Sequence, residues 1–149
     1  MIFFLDKISQ IKIGWNLRNL TEQDFYKLCR KFKVIVKEMP LQVEGFYYCV
    51  KGKHYIAISN KLNGRAKLFV MWHEFAHFLR HVPDTNVTAN FSGVGNRNFK
   101  EEEADIFAYC ALLPLTWVKT KTLRDLVEDE GFSLEFVQKR KDIYEAYKI

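Results

Sequence analysis

The apolar positions of this chain change period along its length, and the changes mark out its elements. Leu20, Phe25, Leu28, Cys29 and Phe32 recur at helical spacing, and Thr21 with Asp24 three residues on makes a capping pair, so a first helix is predicted over residues 17–32. Residues 33–39 are β-branched and alternating, and Pro40 closes them as an edge strand would close. Residues 45–50 and 54–59 are aromatic or β-branched runs joined through Lys51, Gly52 and Lys53, the pattern of a hairpin with glycine supplying the turn. In the second run Tyr55, Ala57 and Ser59 face one side and His54, Ile56 and Ile58 the other. A partner-free edge on this strand would pair with an extended peptide.

After Asn63-Gly64, residues 66–81 run without Gly or Pro until Pro83. Leu68, Met71, Trp72, Phe75, Phe78 and Leu79 put apolar surface on more than one side of this helix, which predicts deep burial. Residues 84–98 are polar and contain Gly93 and Gly95, and read as a long loop, a rim or lid beside a site. Residues 99–113 carry the apolar stripe Ala104, Phe107, Ala108, Ala111 and Leu112, another core helix. Beyond Pro114 a short turn over 115–118, a short helix over 122–129, a stop at Gly131 and a last helix over 133–147 capped by Ser133 read as a helical hairpin.

The chemistry sits in the buried helix, at His73-Glu74-Phe75-Ala76-His77. Residues four apart lie one turn on and roughly 40° round the axis, so the two imidazoles stack along one stripe, close enough to share a metal. Neutral imidazoles suit Zn²⁺, and Glu74 is placed to take a proton from water acidified by the ion. His81 is four beyond His77, but it has rotated roughly 80° from His73, and one straight helix does not wrap three ligands round a tetrahedral ion. His81 is read as a helix-end residue, and His54 as a surface histidine.

A third ligand must come from elsewhere, and the run Glu101, Glu102, Glu103 with Asp105 offers one. A ligand carboxylate and an acid that orients a ligand histidine should share a helix face, which admits Glu101 or Glu102 and disfavours Glu103. Spacing alone leaves the first two open.

Composition narrows the class. With 149 residues, 48% hydrophobic and 15% aromatic, the chain has the makings of one domain with a real core, taken as residues 1–149 and divided into 1–62, 63–114 and 115–149. The start lacks a basic region ahead of its short apolar run, so neither a signal peptide nor a spanning helix is expected, and a cytoplasmic, non-membrane protein is. Cys29, Cys49 and Cys110 are odd in number and far apart, which suits packed thiols in a reducing compartment. Lys and Arg outnumber Asp and Glu 13 to 5 over residues 1–70, but are outnumbered 3 to 6 over 71–118 and matched 7 to 7 over 119–149. That basic excess is scattered, so direct nucleic-acid binding is not expected.

The sequence resembles the ImmA/IrrE family of zinc metallopeptidases, a gluzincin-like group with HExxH on one helix and a glutamate on the next. The resemblance covers the strand 54–59 with Asn60, Arg65, the helix with HEFAHFLRH, and EEEADIFAYCALLP ending at Pro114. The family pattern resembles E-x-x-A-[DN]-x-F-A followed by LL and Pro, met here by Glu101, Ala104, Asp105, Phe107, Ala108, Leu112, Leu113 and Pro114, which selects Glu101 over Glu102.

That resemblance implies that His73, His77 and Glu101 bind zinc, that Glu74 is general base and later proton donor, and that Asp105 supports a ligand histidine. It also implies a substrate, since members cleave helix-turn-helix repressors and so induce mobile-element or stress-response genes. No separate N-terminal DNA-binding domain or large C-terminal sensor domain is recognised, so a minimal peptidase, of a prophage or other mobile element, is expected. The fold expected is α+β and zincin-like, a sheet of about three strands covered on one face by the metal and ligand helices, with the C-terminal hairpin beside them. Strand 54–59 is expected to hold the substrate extended, with Tyr47, Tyr48 or His54 as candidates for stabilising the oxyanion. Two other readings are a zinc-fold module that sequesters a repressor without cutting it, and a nucleic-acid-binding protein.

Overall fold

In the computed structural model of the protein, which describes residues 3–81, 90–91 and 99–149, a 3₁₀ turn (Phe3–Lys7) and a single helical turn, α1 (Ile8–Ile11), lead to the first long helix, α2 (Glu22–Phe32). The capping pair sets where α2 begins. Thr21 Oγ1 accepts from Asp24 N at 3.2 Å, and the Asp24 carboxylate accepts from Thr21 N at 2.8 Å and from both terminal nitrogens of Arg18 at 2.9 Å. α2 therefore begins more than a turn later than the expected Leu17; Leu17 is exposed, and residues 14–18 form a turn through Gly14 O.

Segment 15–20 instead laces the end of a later helix, α4 (Phe99–Leu112). Trp15 Nε1 donates to Phe107 O at 3.0 Å and Leu20 N to Ala111 O at 2.9 Å.

The sheet holds β1 (Val34–Met39), β2 (Gly45–Val50), β3 (Lys53–Ser59) and the two-residue β4 (Asn90–Phe91), in the order β1-β3-β2-β4. β2 and β3 form the expected hairpin. Lys51 and Gly52 both take positive φ, 50° and 75°, the signature of a tight two-residue turn that follows the strands' twist. β3 is not an edge strand. It pairs parallel with β1 and antiparallel with β2, and Ile56 to Ser59 are buried in succession. Its hydrogen-bonding sides are both occupied, so it has no free edge for a peptide.

The helices supply the rest of the core. α3 (Gly64–His81) is buried without interruption from Met71 to Leu79 and packs against β2, β3 and α4. Phe25 of α2 meets Trp72 edge-on at 5.6 Å, and Phe75 stacks on Phe107 of α4 at 6.3 Å, so these side chains close the core between α2, α3 and α4. The expected turn over 115–118 is a helix, α5 (Leu115–Thr120), and the expected helix over 122–129 is a single π turn, Asp125–Asp129. α6 (Leu134–Tyr147) is capped by Ser133 as expected and sends the fully buried Arg140 back to Leu113 O at 2.6 Å and Asn16 Oδ1 at 2.9 Å. The loop expected over 84–98 lies outside the described residues apart from Asn90–Phe91.

The class is α+β. Three strands of ordinary length carry the sheet, as expected, and the fourth adds two residues at the β2 edge.

Candidate metal centre and active site

Helical spacing brings His73 and His77 onto one stripe of α3, with ring centroids 4.9 Å apart and Nε2 atoms 3.2 Å apart. α4 crosses that stripe and delivers Glu101. Its Oε2 lies 3.0 Å from His73 Nε2 and its Oε1 2.9 Å from His77 Nε2. One turn further along α4, Asp105 Oδ1 lies 2.8 Å from His73 Nδ1. Glu74 is 1% exposed, and its Oε1 lies 3.8 Å from His73 Nε2.

The two carboxylates that spacing left open separate here. Glu102 is exposed and takes a hydrogen bond from Tyr147 on α6 at 3.4 Å. Glu103, disfavoured as a ligand by its spacing from Asp105, is buried and paired to Arg80 of α3 at 2.6 Å.

His73, Glu74 and His77 are all buried, with ligand atoms within 4.8 Å of one another. A tetrahedral zinc ion with bonds of about 2.0–2.1 Å needs donors roughly 3.3 Å apart. The separations of 2.9, 3.0 and 3.2 Å among Glu101 and the two Nε2 atoms come close to that, and two nitrogens and an oxygen are a donor set zinc accepts. The residues therefore fit a divalent ion. Charge points the same way: burial lowers the His73 pKa, but the Asp105 and Glu101 hydrogen bonds and the Glu74 charge outweigh it and raise it to about 10. Burial likewise raises Glu101, and the two imidazoles more than reverse it, holding its carboxyl far below the usual range. Three carboxylates converging on two imidazoles leave this cluster short of positive charge.

A cleft of about 510 Å³ opens over the cluster, bordered by residues 42–45, Phe69, Val70, Glu74, Asp105, Tyr109 and Lys139. Gly45 lets β2 come this near to α3. A Cβ there would stand 2.8 Å from both Ala57 O and Val70 Cγ1.

The side chains expected as oxyanion donors are not at the cleft. Tyr47 is buried with its hydroxyl hydrogen-bonded to His54 Nδ1 at 2.8 Å, burial lowers the His54 pKa, and Tyr48 stacks on Tyr55 at 4.7 Å. Tyr47 and His54 face α3 but meet Phe78 there, at 6.0 and 5.0 Å, and Tyr48, the next residue along β2, points to the opposite face of the sheet. Tyr109 and Lys139 border the cleft instead. Tyr109 follows Asp105 by four, a helical spacing that marks it in the sequence, whereas nothing local marks Lys139.

A family model for peptidase M78, described as the IrrE N-terminal-like domain, matches residues 29–141. The chain belongs to the peptidase M78 family. That match spans α3, α4, the sheet strands β1–β3 and most of α6, and so takes in every residue of the cleft named above. No curated protein and no solved structure matches the chain. No helix among the described residues of this M78 chain is long and apolar enough to cross a membrane.

Proposed function

We propose that this M78 chain is a zinc-dependent endopeptidase acting in the cytoplasm on a helix-turn-helix repressor. The observation that carries the reading is the meeting of His73 Nε2, His77 Nε2 and the Glu101 carboxylate within 3.2 Å of one another, with Glu74 buried against them at the floor of a cleft. Zinc, when bound by these three, polarises the scissile carbonyl and acidifies the attacking water. Glu74 accepts the proton that the water loses and delivers it to the leaving amine nitrogen. Asp105 takes a hydrogen bond from His73 Nδ1, which fixes the ring with Nε2 turned inward.

The peptide lies in the cleft along residues 42–45, the stretch of chain that leads into β2, and not along β3, whose two sides are taken. Membership of a peptidase family supports peptide hydrolysis, and the repressor as substrate is what the resemblance to the ImmA/IrrE family implies.

Zinc-loaded protein incubated with a candidate repressor tests this reading. Wild type yields two fragments and Glu74→Gln yields none while keeping its metal. Equal loss of repressor function with no fragments from either protein would favour sequestration instead. The burial of Glu74 beside the imidazoles speaks for catalysis, because a purely structural metal site has no use for a third acid there.

A further inference from the structure

Beside the metal cleft lies a second, smaller recess of about 230 Å³, which shares Glu44, Phe69, Val70 and Tyr109 with it and adds Ala66 and Phe136. Phe69 and Val70 precede His73 by four and three positions on α3, so the floor of the recess is one helical turn from the imidazole. Its walls are rings that hold one another. Phe69 meets Tyr109 edge-on at 5.0 Å, Tyr109 lies 4.6 Å from Phe136, and Phe136 meets Phe69 at 6.1 Å. Three mutually packed rings on α3, α4 and α6 do not collapse when the space is empty, so the recess is formed before anything enters it.

The charged groups belong to the rim. Glu44 is exposed, and Arg65 lies with its guanidinium 3.8 Å over the Phe132 ring and donates to Glu130 O at 2.7 Å. Inside, an occupant meets carbon.

We propose that this recess, walled by Phe69, Tyr109 and Phe136, is the subsite that selects a large apolar side chain next to the scissile bond, with Phe136 of α6 setting its depth. The inference rests on the peptidase reading and names the substrate feature it favours. A leucine, methionine or phenylalanine side chain fills the space and leaves water, an alanine leaves it unfilled, and a charged side chain is desolvated without a partner. Discrimination by an apolar pocket of this kind is worth about 10-fold to 200-fold per group gained or lost. The proposal gives α6 a part in specificity, since Phe136 comes from outside the two helices that carry HExxH and Glu101.

Two readouts test it. In the first, zinc-loaded full-length protein is incubated with a mixed peptide library and cleavage sites are mapped by mass spectrometry. One position flanking the cut is expected to be enriched at least about 10-fold in Leu, Met, Ile and Phe over Ala and Gly. Phe136→Ala, which deepens the recess, should shift that position toward Phe and Trp. Ala66→Trp, which fills it from the exposed side of α3, should shift it toward Ala and Ser. A flat preference at both flanking positions, or one that neither variant moves, overturns the subsite and leaves the peptidase reading standing.

In the second, N-acetyl-phenylalanine amide and N-acetyl-alanine amide are titrated into the protein and followed by NMR, with no cleavage required. The first should move the resonances of Ala66, Phe69, Val70 and Tyr109 and the second should not, with the response lost in Ala66→Trp. No difference between the two probes overturns the proposal. A clear difference from a protein that cuts nothing keeps the recess and removes the peptidase reading.

Discussion

Asp105 holds His73 from behind: its Oδ1 lies 2.8 Å from Nδ1, which turns Nε2 toward His77 and Glu101. An imidazole tethered in this way loses neither tautomer nor ring orientation when it binds a metal. Asp105→Ala frees the ring, and the expected result is zinc affinity lower by about 10-fold to 100-fold, with the fold intact. Competition with a chelating dye reads the change. Asp105→Asn, which still accepts through its carbonyl oxygen but has lost the charge, should fall between wild type and Asp105→Ala. Equal affinity in all three would remove Asp105 from the site.

Gly45 and Val70 set how closely the sheet approaches the metal helix. A methyl group at residue 45 would stand 2.8 Å from the Ala57 carbonyl oxygen, and that oxygen belongs to the central strand, which is paired on both sides. Gly45→Ala should therefore push β2 away from α3 and cost about 1–3 kcal/mol by overpacking, read as a lower urea midpoint. Val70→Ala in the same chain relieves the second close contact, also at 2.8 Å, and should recover part of the loss. Additive losses in the double variant would show that the two residues do not press on each other.

Arg80 and Glu103 fasten α3 to α4 on the turn beyond the imidazoles, at 2.6 Å, with Glu103 buried and Arg80 about a quarter exposed. Truncating one member of a buried pair leaves the other charge in a poor medium, so Glu103→Ala should cost about 3 kcal/mol, the low end of the range because Arg80 keeps some water. Replacing both, Arg80→Met with Glu103→Leu, should recover most of that. Denaturant titration of the three variants measures it. If the double variant is no better than the single, the pair's charges do not account for the loss.

The parts of the fold and site that were legible in the sequence are those decided within a helical turn or two. His73 and His77 share a stripe because they are four apart, and Thr21 with Asp24 starts a helix because three residues separate them. The Lys51-Gly52 turn is equally local. Glu101 was harder: spacing on α4 left it level with Glu102, and the family pattern chose the carboxylate that the structure brings to the imidazoles. What the sequence hid are pairings made across the chain. β3 looked like an edge because its parallel partner, β1, is separated from it by β2 and carries no local mark. Glu103 sits in a run of three acids that reads as a solvated face, and only the approach of Arg80 from α3 buries it. Arg140 lies in a charged stretch of α6 and is fully buried, and the carbonyls it satisfies come from Asn16 and Leu113, far away in sequence. Phe136 reaches the recess and Lys139 the cleft by the same route, through the packing of α6 on α4.

Two thiols tie this packing to alkaline pH. Burial pushes Cys29 up to about 12, with Arg30 pulling slightly the other way, and burial pushes Cys110 to about 12 as well, against a small opposing effect of Arg140. An unfolded cysteine ionises near 9.0. Between those values the unfolded chain gives up its thiol protons and the folded chain keeps them, so the free energy of the unfolded state falls relative to the folded state as pH rises. The stabilising effect is complete below about pH 8.5 and is lost progressively toward pH 12. Burial raises Tyr26 and Tyr109 too, and they act in the same direction. Urea midpoints measured from pH 7 to 11 should therefore fall above pH 9, and the combined Cys29→Ala and Cys110→Ala variant should fall less steeply, though from a lower starting stability. The same burial should protect both thiols from iodoacetamide at pH 8 in the folded protein and expose them in urea. A midpoint that declines equally in wild type and double variant would mean that the thiols are not what the alkaline side of the stability curve reports.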